Sequence, residues 1–298
     1  MNSLLNEFGW AGPSAQQLRQ KHMLPTSTFV RCMGLDVHVS IEGSGPDVVM
    51  IHGFAASLHT WNDVCSTMSK QFRIIRFDLP PFGLTGPALD EQGQVRKMDV
   101  AFYQQFVDAV LDELQIKKCV MIGNSFGGFL SWDQAQRHPE RVRGLILSDA
   151  VGYQAPLPIY ITLFTIKPIA WLTRYTVPAF LLRMAVRDVY GDKRKLKKEV
   201  LDRYLELFMH KPNRSAVGQM VGVFTDGEFG SERLPQIQCK TLIVWGGDDR
   251  WVSIEMAGRF NRDLPHSELK VYREVGHIPM EEAPDRFAAD CIDFIEKL

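Results

Sequence analysis

Two kinds of apolar patterning alternate along the chain. Val48-Val49-Met50-Ile51, Arg73-Ile74-Ile75-Arg76-Phe77, Cys119-Val120-Met121-Ile122, Leu145-Ile146-Leu147 and Thr241-Leu242-Ile243-Val244-Trp245 are short, nearly continuous runs. Such runs suit strands covered on both faces, as in a parallel sheet. Helical patterns lie between them, over Met98 to Leu114, Phe126 to Arg137, Ser253 to Arg262 and Pro284 to Leu298. In the first, Phe102, Phe106, Val110 and Leu114 recur every four residues and form one apolar face. Phe29 to Ile41 alternates around Gly34 and predicts a β-hairpin. A last strand is expected over Glu268 to Arg273. Strand–helix alternation of this kind predicts an α/β fold, a mostly parallel central sheet flanked by helices.

The rhythm breaks between about Ala155 and Gln236, where no strand run occurs. Pro156 to Val186 is rich in Leu, Ile, Phe and Trp and interrupted by Pro168 and Pro178; the basic run Lys193 to Lys198 and a helical pattern over Glu199 to Met209 follow. The basic run reads as a solvated face. The expected organisation is a polar lead-in (1–28), a catalytic α/β domain in two pieces (29–154 and 237–298), and a helical cap (155–236) inserted before the penultimate strand.

Composition narrows the functional classes. The 298 residues carry 34 Lys plus Arg against 35 Asp plus Glu, a formal charge of −1. That balance gives no general attraction to nucleic acid or anionic membranes. Five scattered cysteines without a Cys-x-x-Cys pair exclude a disulfide framework or a cysteine zinc site, and Cys119 and Cys291 read as core residues. Met1 to Trp10 lacks a signal-peptide pattern, and no apolar run is long enough to span a bilayer. A cytoplasmic location is the resulting expectation.

The chemistry concentrates at a few strand ends. Gly123-Asn124-Ser125-Phe126-Gly127 matches Gly-x-Ser-x-Gly, directly after a strand run and before a helical pattern. A tight strand-to-helix turn there lifts Ser125 above the sheet as a nucleophile. A serine hydroxyl needs a general base, and the base needs an orienting group. His277, in Gly276-His277-Ile278-Pro279, follows the last expected strand, whereas His22, His38, His138, His210 and His266 read as structural or solvated. Asp248 and Asp249 close another strand and Asp149 a third, so all three are candidate acids. His52-Gly53-Phe54 follows the first buried run, so the Phe54 and Phe126 N–H groups are candidate oxyanion donors. His52 itself reads as a structural hydrogen-bonding residue, and His59 and Trp61 are not assigned to the site.

Together with Asp78-Leu79-Pro80-Pro81-Phe82-Gly83-Leu84-Thr85, His138-Pro139-Glu140-Arg141-Val142, Trp245-Gly246-Gly247-Asp248-Asp249-Arg250 and Gly276 to Pro284, these motifs make the chain resemble the α/β-hydrolase fold family over all but its lead-in. The resemblance implies Asp249 as the triad acid with Ser125 and His277, and the insertion as a lid. Pro81 departs from it, because relatives usually carry Gly there, and proline fixes φ and removes a donor. Serine rather than aspartate at the nucleophile position implies acyl chemistry through an acyl-enzyme. The elbow is similar to that of meta-cleavage-product hydrolases, which break a carbon–carbon bond. Phe54-Ala55-Ala56-Ser57 and Ile278 replace the Gly-rich run and the Trp usual there, which leaves a carboxylesterase as the first expectation and carbon–carbon cleavage as the second. A ligand-sensing protein on the same fold is a third. No cofactor or metal is called for. Ile159, Tyr160, Leu163, Phe164, Ile169, Trp171, Leu172, Phe180 and Leu181 either roof a pocket for an apolar small-molecule ester, pack the cap onto the main domain, or touch a membrane surface.

Overall fold

The protein is described here from a computed structural model, which covers Glu7, residues 12–225 and residues 229–298. Most of the Met1 to Trp10 lead-in therefore lies outside the described residues. In chain order the elements are α1 (Ala15–His22), β1 (Ser27–Cys32), β2 (Leu35–Glu42), β3 (Asp47–Ile51), α2 (Asn62–Met68), β4 (Arg73–Phe77), α3 (Val100–Glu113), β5 (Cys119–Asn124), α4 (Phe126–Arg137) and β6 (Val142–Ser148). Then come α5 (Ile159–Thr165), α6 (Lys167–Thr173), α7 (Ala179–Asp188), α8 (Lys198–Met209), α9 (Lys211–Ala216), β7 (Lys240–Gly246), α10 (Ile254–Asp263), β8 (Ser267–Tyr272) and α11 (Pro284–Glu296).

The strands form one sheet in the order β1-β2-β4-β3-β5-β6-β7-β8. β1, β2 and β4 pair antiparallel, and every pairing from β4 to β8 is parallel. Period-two alternation sorts the apolar runs onto two faces. Val49, Ile51, Met121, Leu145, Leu147, Ile243 and Trp245 join the core under α3, α4 and α10, with Phe106, Phe129 and Phe260. Val48, Met50, Val120, Ile122, Ile146, Leu242 and Val244 join a second core under α2 and α11, with Met68, Phe287 and Phe294. Continuous apolar runs are thus needed because neither face meets water.

The hairpin turns at Met33 and Gly34, both with positive φ (51° and 81°), as a tight turn matched to strand twist requires. Helix α1 starts at a capping box between Ser14 and Gln17. α2 was not expected from the sequence, because only Val64, Cys65 and Met68 of its seven residues are buried, too short a stripe to show a period. Lys193–Lys195 forms a short 3-10 turn rather than part of a longer helix. Between β6 and β7 the described chain is helices and loops. Cys119 and Cys291 are buried, as are Cys32 and Cys65, and no cysteine is paired. The Pro80–Pro81 peptide, where the family pattern was broken, is cis.

Candidate active site

The parallel strands end on one edge of the sheet, and the candidate residues gather there. Ser125 lies between β5 and α4 with φ 53° and ψ −118°, a conformation that L-residues adopt only under constraint. The constraint is visible. Ser125 N–H donates to Ser148 O at 3.0 Å, and Ser125 O accepts from Val151 and Phe129 N–H at 3.0 and 3.2 Å. The flanking glycines permit close approach: a Cβ on Gly127 would sit 2.1 Å from Ile51 O, and one on Gly123 would sit 2.2 Å from Gly127 O. The spacing of Gly-x-Ser-x-Gly is thus a packing requirement of this turn. Phe126 is the first residue of α4, so its N–H has no intrahelical acceptor. Gly53 approaches so closely that a Cβ there would lie 2.9 Å from Ser125 Cβ, which brings the His52-Gly53-Phe54 turn against Ser125.

His277 Nδ1 donates to Asp249 Oδ2 at 2.8 Å. The other Asp249 oxygen accepts from Trp251 and Val252 N–H at 2.7 and 3.0 Å, so the carboxylate is fixed by backbone donors on one side and imidazole on the other. The His277 loop is anchored independently. Its carbonyl accepts from Asn124 Nδ2 at 3.0 Å, its N–H donates to Val189 O at 2.8 Å, and Glu282 accepts from Gly276 N–H at 2.8 Å. Glu282 also accepts from Gly191 and Asp192 N–H, tying the end of α7 to this loop. Of the three candidate acids, Asp249 is the one in contact with His277; Asp248 N–H instead bonds Val275 O at 2.9 Å.

Asp149, the third candidate, is not on the histidine but beside Asp249. It is fully buried, with φ 47°, and accepts from Gly246 N–H at 2.8 Å and Ser148 Oγ at 2.9 Å. Burial pushes its carboxyl well above the usual carboxylate range, and the adjacent Asp249 charge and hydrogen bond push it further. Two carboxyls enclosed together do not both ionise. The direction of the shift favours the protonated form of Asp149 beside Asp249. Sequence reasoning weighed these residues as rivals; their adjacency depends on the pairing of β6 with β7, which no local pattern reveals.

Among the described residues, one group of His, Cys, Asp or Glu could chelate a metal: Asp149, Asp249 and His277, with ligand atoms within 4.8 Å of one another. Hydrogen bonds already engage all three residues there. His52 is buried and structural, its Nδ1 donating to Gly53 O and its Nε2 accepting from Leu79 N–H. His59 bonds His22 O, and burial depresses its pKa to about 3.

Two adjoining cavities meet at Ser125. One, about 70 Å³, is lined by Leu182, Val186, Tyr204, Phe208 and Ile278; the other, about 50 Å³, by Val151, Pro156, Ile161, Phe224 and Met256. Phe54, Ser125, Trp251 and His277 border both. No Lys or Arg lines either cavity among the described residues. Trp251 was missed from the sequence. Its ring lies 5.8 Å from His277, nearly parallel, and 6.1 Å from Tyr160 on the other side; a Trp two residues past an Asp carries no signal of its own. A larger cavity of about 600 Å³, between α1, α7 and α8, contains none of these groups.

A strand–serine–helix turn on a sheet of this order, with an Asp–His pair at neighbouring strand ends, defines a class of hydrolases. Residues 46–284 match the family model described as the alpha/beta hydrolase fold, and the chain belongs to that family. It is 29% identical over 258 residues to the uncharacterized hydrolase YugF of Bacillus subtilis, covering 84% of this chain and 89% of that one. It is 27% identical over 270 residues to a 2-hydroxy-6-oxononadienedioate/2-hydroxy-6-oxononatrienedioate hydrolase of Pseudomonas sp, covering 88% and 92%. Among solved structures, the meta-cleavage product hydrolase CumD of Pseudomonas fluorescens IP01 superposes with a TM-score of 0.77 at 22% identity, over 91% of this chain and 97% of that one. The sequence-based expectation of fold and family is met.

Proposed function

We propose that the protein is a serine carboxylesterase acting on an uncharged, apolar ester through a Ser125–His277–Asp249 triad. The observation that carries this reading is the His277 Nδ1–Asp249 contact of 2.8 Å, with Ser125 and His277 bordering the same two cavities. His277 Nε2 takes the Ser125 proton as Oγ attacks the ester carbonyl, while Asp249 holds the imidazole tautomer and steadies the imidazolium. The Phe54 and Phe126 N–H groups receive the developing oxyanion, each worth roughly 3–4 kcal/mol in the transition state. His277 then protonates the leaving alcohol. Water, activated by the same histidine, releases the acid and frees Ser125.

In this reading the two cavities take the two halves of the ester, one on each side of Ser125. Residues 155–236 act as a cap that supplies Leu182, Val186, Tyr204 and Phe208 to one half, on a catalytic domain of residues 29–154 and 237–298. The buried Trp251 indole Nε1–H has no partner among the described residues and is a donor for a substrate oxygen. Labelling by a fluorophosphonate tests the nucleophile: the label belongs on Ser125 and is lost in Ser125→Ala. An unlabelled, folded protein would refute the proposal. Steady turnover of p-nitrophenyl esters from acetate to laurate separates an esterase from a ligand-sensing protein and reads the depth of the acyl cavity.

Carbon–carbon cleavage is the second reading, favoured by the name of the Pseudomonas relative. Its substrate, named as a dioate, carries carboxylate charge. The cationless lining of both cavities weighs against such an anion here, since a buried carboxylate needs a paired charge. Ring-fission dienoates tested beside phenyl esters decide between the two.

A further inference from the structure

Seven of the eleven large apolar side chains that stand exposed in the described structure lie within 26 residues of one another in sequence, on α5, α6, α7 and the loops joining them. They are Ile159, Ile166, Trp171, Leu172, Tyr175, Phe180 and Met184, each 45–64% exposed. The other four are scattered over the rest of the chain. A half-exposed side chain of this size shows roughly 90 Å², so the group presents on the order of 600 Å². That is at the upper end of what a monomer usually leaves in water.

Within this segment the charged side chains are of one sign, bordered by Glu7 and Asp188, which are paired with Arg183 and Arg250. From Ala150 to Arg187 the sequence contains Lys167, Arg174, Arg183 and Arg187 and no Asp or Glu. Lys167, Arg174 and Arg187 are exposed, while Arg183 is paired with Glu7. The near-neutral balance of the whole chain therefore conceals a local basic, apolar surface. The Trp171 and Tyr175 rings meet at 5.1 Å within it, tilted by 57°. Aromatic rings with an apolar body and a polar edge, flanked by Lys and Arg, are the composition that settles at the boundary between acyl chains and headgroups. A protein partner matched to so basic a patch would need acidic rims of its own, whereas an anionic bilayer meets the whole set of charges at once.

The patch is also continuous with the candidate site. α7 carries Phe180 and Met184 outward and lines the cavity beside Ser125 with Leu182, Ala185 and Val186. We infer that α5–α7 form a docking surface for a phospholipid bilayer bearing anionic headgroups, which sets the cavity entrance against the membrane. Among the described residues no helix is long and apolar enough to cross a bilayer; the proposed contact is peripheral. It stands on exposure and charge, not on the triad, so Ser125→Ala binds vesicles as the parent does.

Flotation of the full chain with phosphatidylcholine vesicles, with and without 30% phosphatidylglycerol (about a third anionic, enough to set a surface potential), tests it. The expected result is binding to the anionic vesicles at least about tenfold stronger than to neutral ones, weakening as salt rises. Trp171→Glu with Leu172→Glu, both at exposed positions away from the cavities, should abolish binding while hydrolysis of a short soluble ester is unchanged. Failure to float with either vesicle, or equal flotation of the double variant, overturns the inference. So does a stable dimer in sedimentation velocity that Trp171→Glu disperses, because a second copy would then be what covers the patch.

Discussion

Replacing Asp149 by Asn separates the two buried carboxyls that the sequence could not rank. The amide can accept from Gly246 N–H as the carboxyl does, donate to Asp249 as the protonated acid does, and tolerate the φ of 47° at this position. Its cost is the bond from Ser148 Oγ, about 1 kcal/mol. Alanine is different: it strands the Gly246 N–H in the interior, about 1–3 kcal/mol, and holds a left-handed conformation without a polar side chain, about 1 kcal/mol more. The expected loss of roughly 2–4 kcal/mol lowers Tm by roughly 5–10 °C.

The pH dependence has a definite sign. Burial and Asp249 raise the Asp149 carboxyl above its ordinary value in the folded state, so the folded protein binds this proton more tightly than the unfolded chain. The contribution is fully present below about pH 4, the unfolded value, and is lost as pH rises through the folded one. Each tenfold difference in proton affinity corresponds to about 1.4 kcal/mol. Asn is neutral throughout, so the Tm of Asp149→Asn relative to the parent should climb from acid to alkaline pH. Calorimetry across pH 4 to 9 (a range of about five units spanning the unfolded value), with esterase kinetics on the same samples, measures both quantities. Asp149→Asn should retain turnover within about tenfold, the span of one or two altered hydrogen bonds, whereas Asp249→Asn should lose roughly 10⁴-fold. If Asp149→Asn is instead as inactive as Asp249→Asn, and the Tm difference is flat with pH, the ionised acid serving His277 has been misassigned.

Three other outcomes follow from the same geometry. Gly127→Ala places a Cβ 2.1 Å from Ile51 O, backbone against backbone, and should cost about 3 kcal/mol, seen as a lower denaturation midpoint with loss of turnover. Trp251→Ala removes the ring stacked on His277 and the wall common to both cavities; kcat/KM should fall about 100-fold, the scale of an ångström-level misplacement, with Trp251→Phe recovering most of it. Glu282→Gln weakens bonds from the Gly276, Gly191 and Asp192 N–H groups, and a loss of about 1.5–3 kcal/mol should appear in thermal melts together with faster amide exchange around His277.

Legibility in the sequence followed from how local each feature is. The parallel strands announced themselves because two buried faces demand unbroken apolar runs, and Phe126–Arg137 was placed to the residue because the Ser125 turn and the approach to Pro139 bound it. Ser125 was legible because its two glycines are steric necessities of one turn. Asp249 needed the family resemblance to be preferred over Asp149 and Asp248, since choosing among strand ends requires knowing which strands are neighbours. Trp251, Asn124 and Glu282 act on His277 across 26, 153 and 5 residues of sequence. Trp251 lies outside every motif, and Asn124 and Glu282 lay inside quoted motifs without a role. The helices between β6 and β7 were expected as a group, and Glu199 to Met209 matches α8 to within a residue, but the bounds of the earlier ones were not expected, because short segments interrupted by Pro168 and Pro178 never complete a readable period.

The placement of His277 beyond β8 has a consequence for synthesis. Ser125 and its turn leave the ribosome early, yet the Asp249–His277 contact spans strand ends completed only in the last tenth of translation. At about 5–20 residues per second, about half of the synthesis time passes with the serine made and its proposed base absent. A nascent chain stalled before residue 277 holds an unactivated hydroxyl in whatever membrane or cytosolic company it meets. In the proposed triad, reactivity is thereby withheld until the sheet has all its strands.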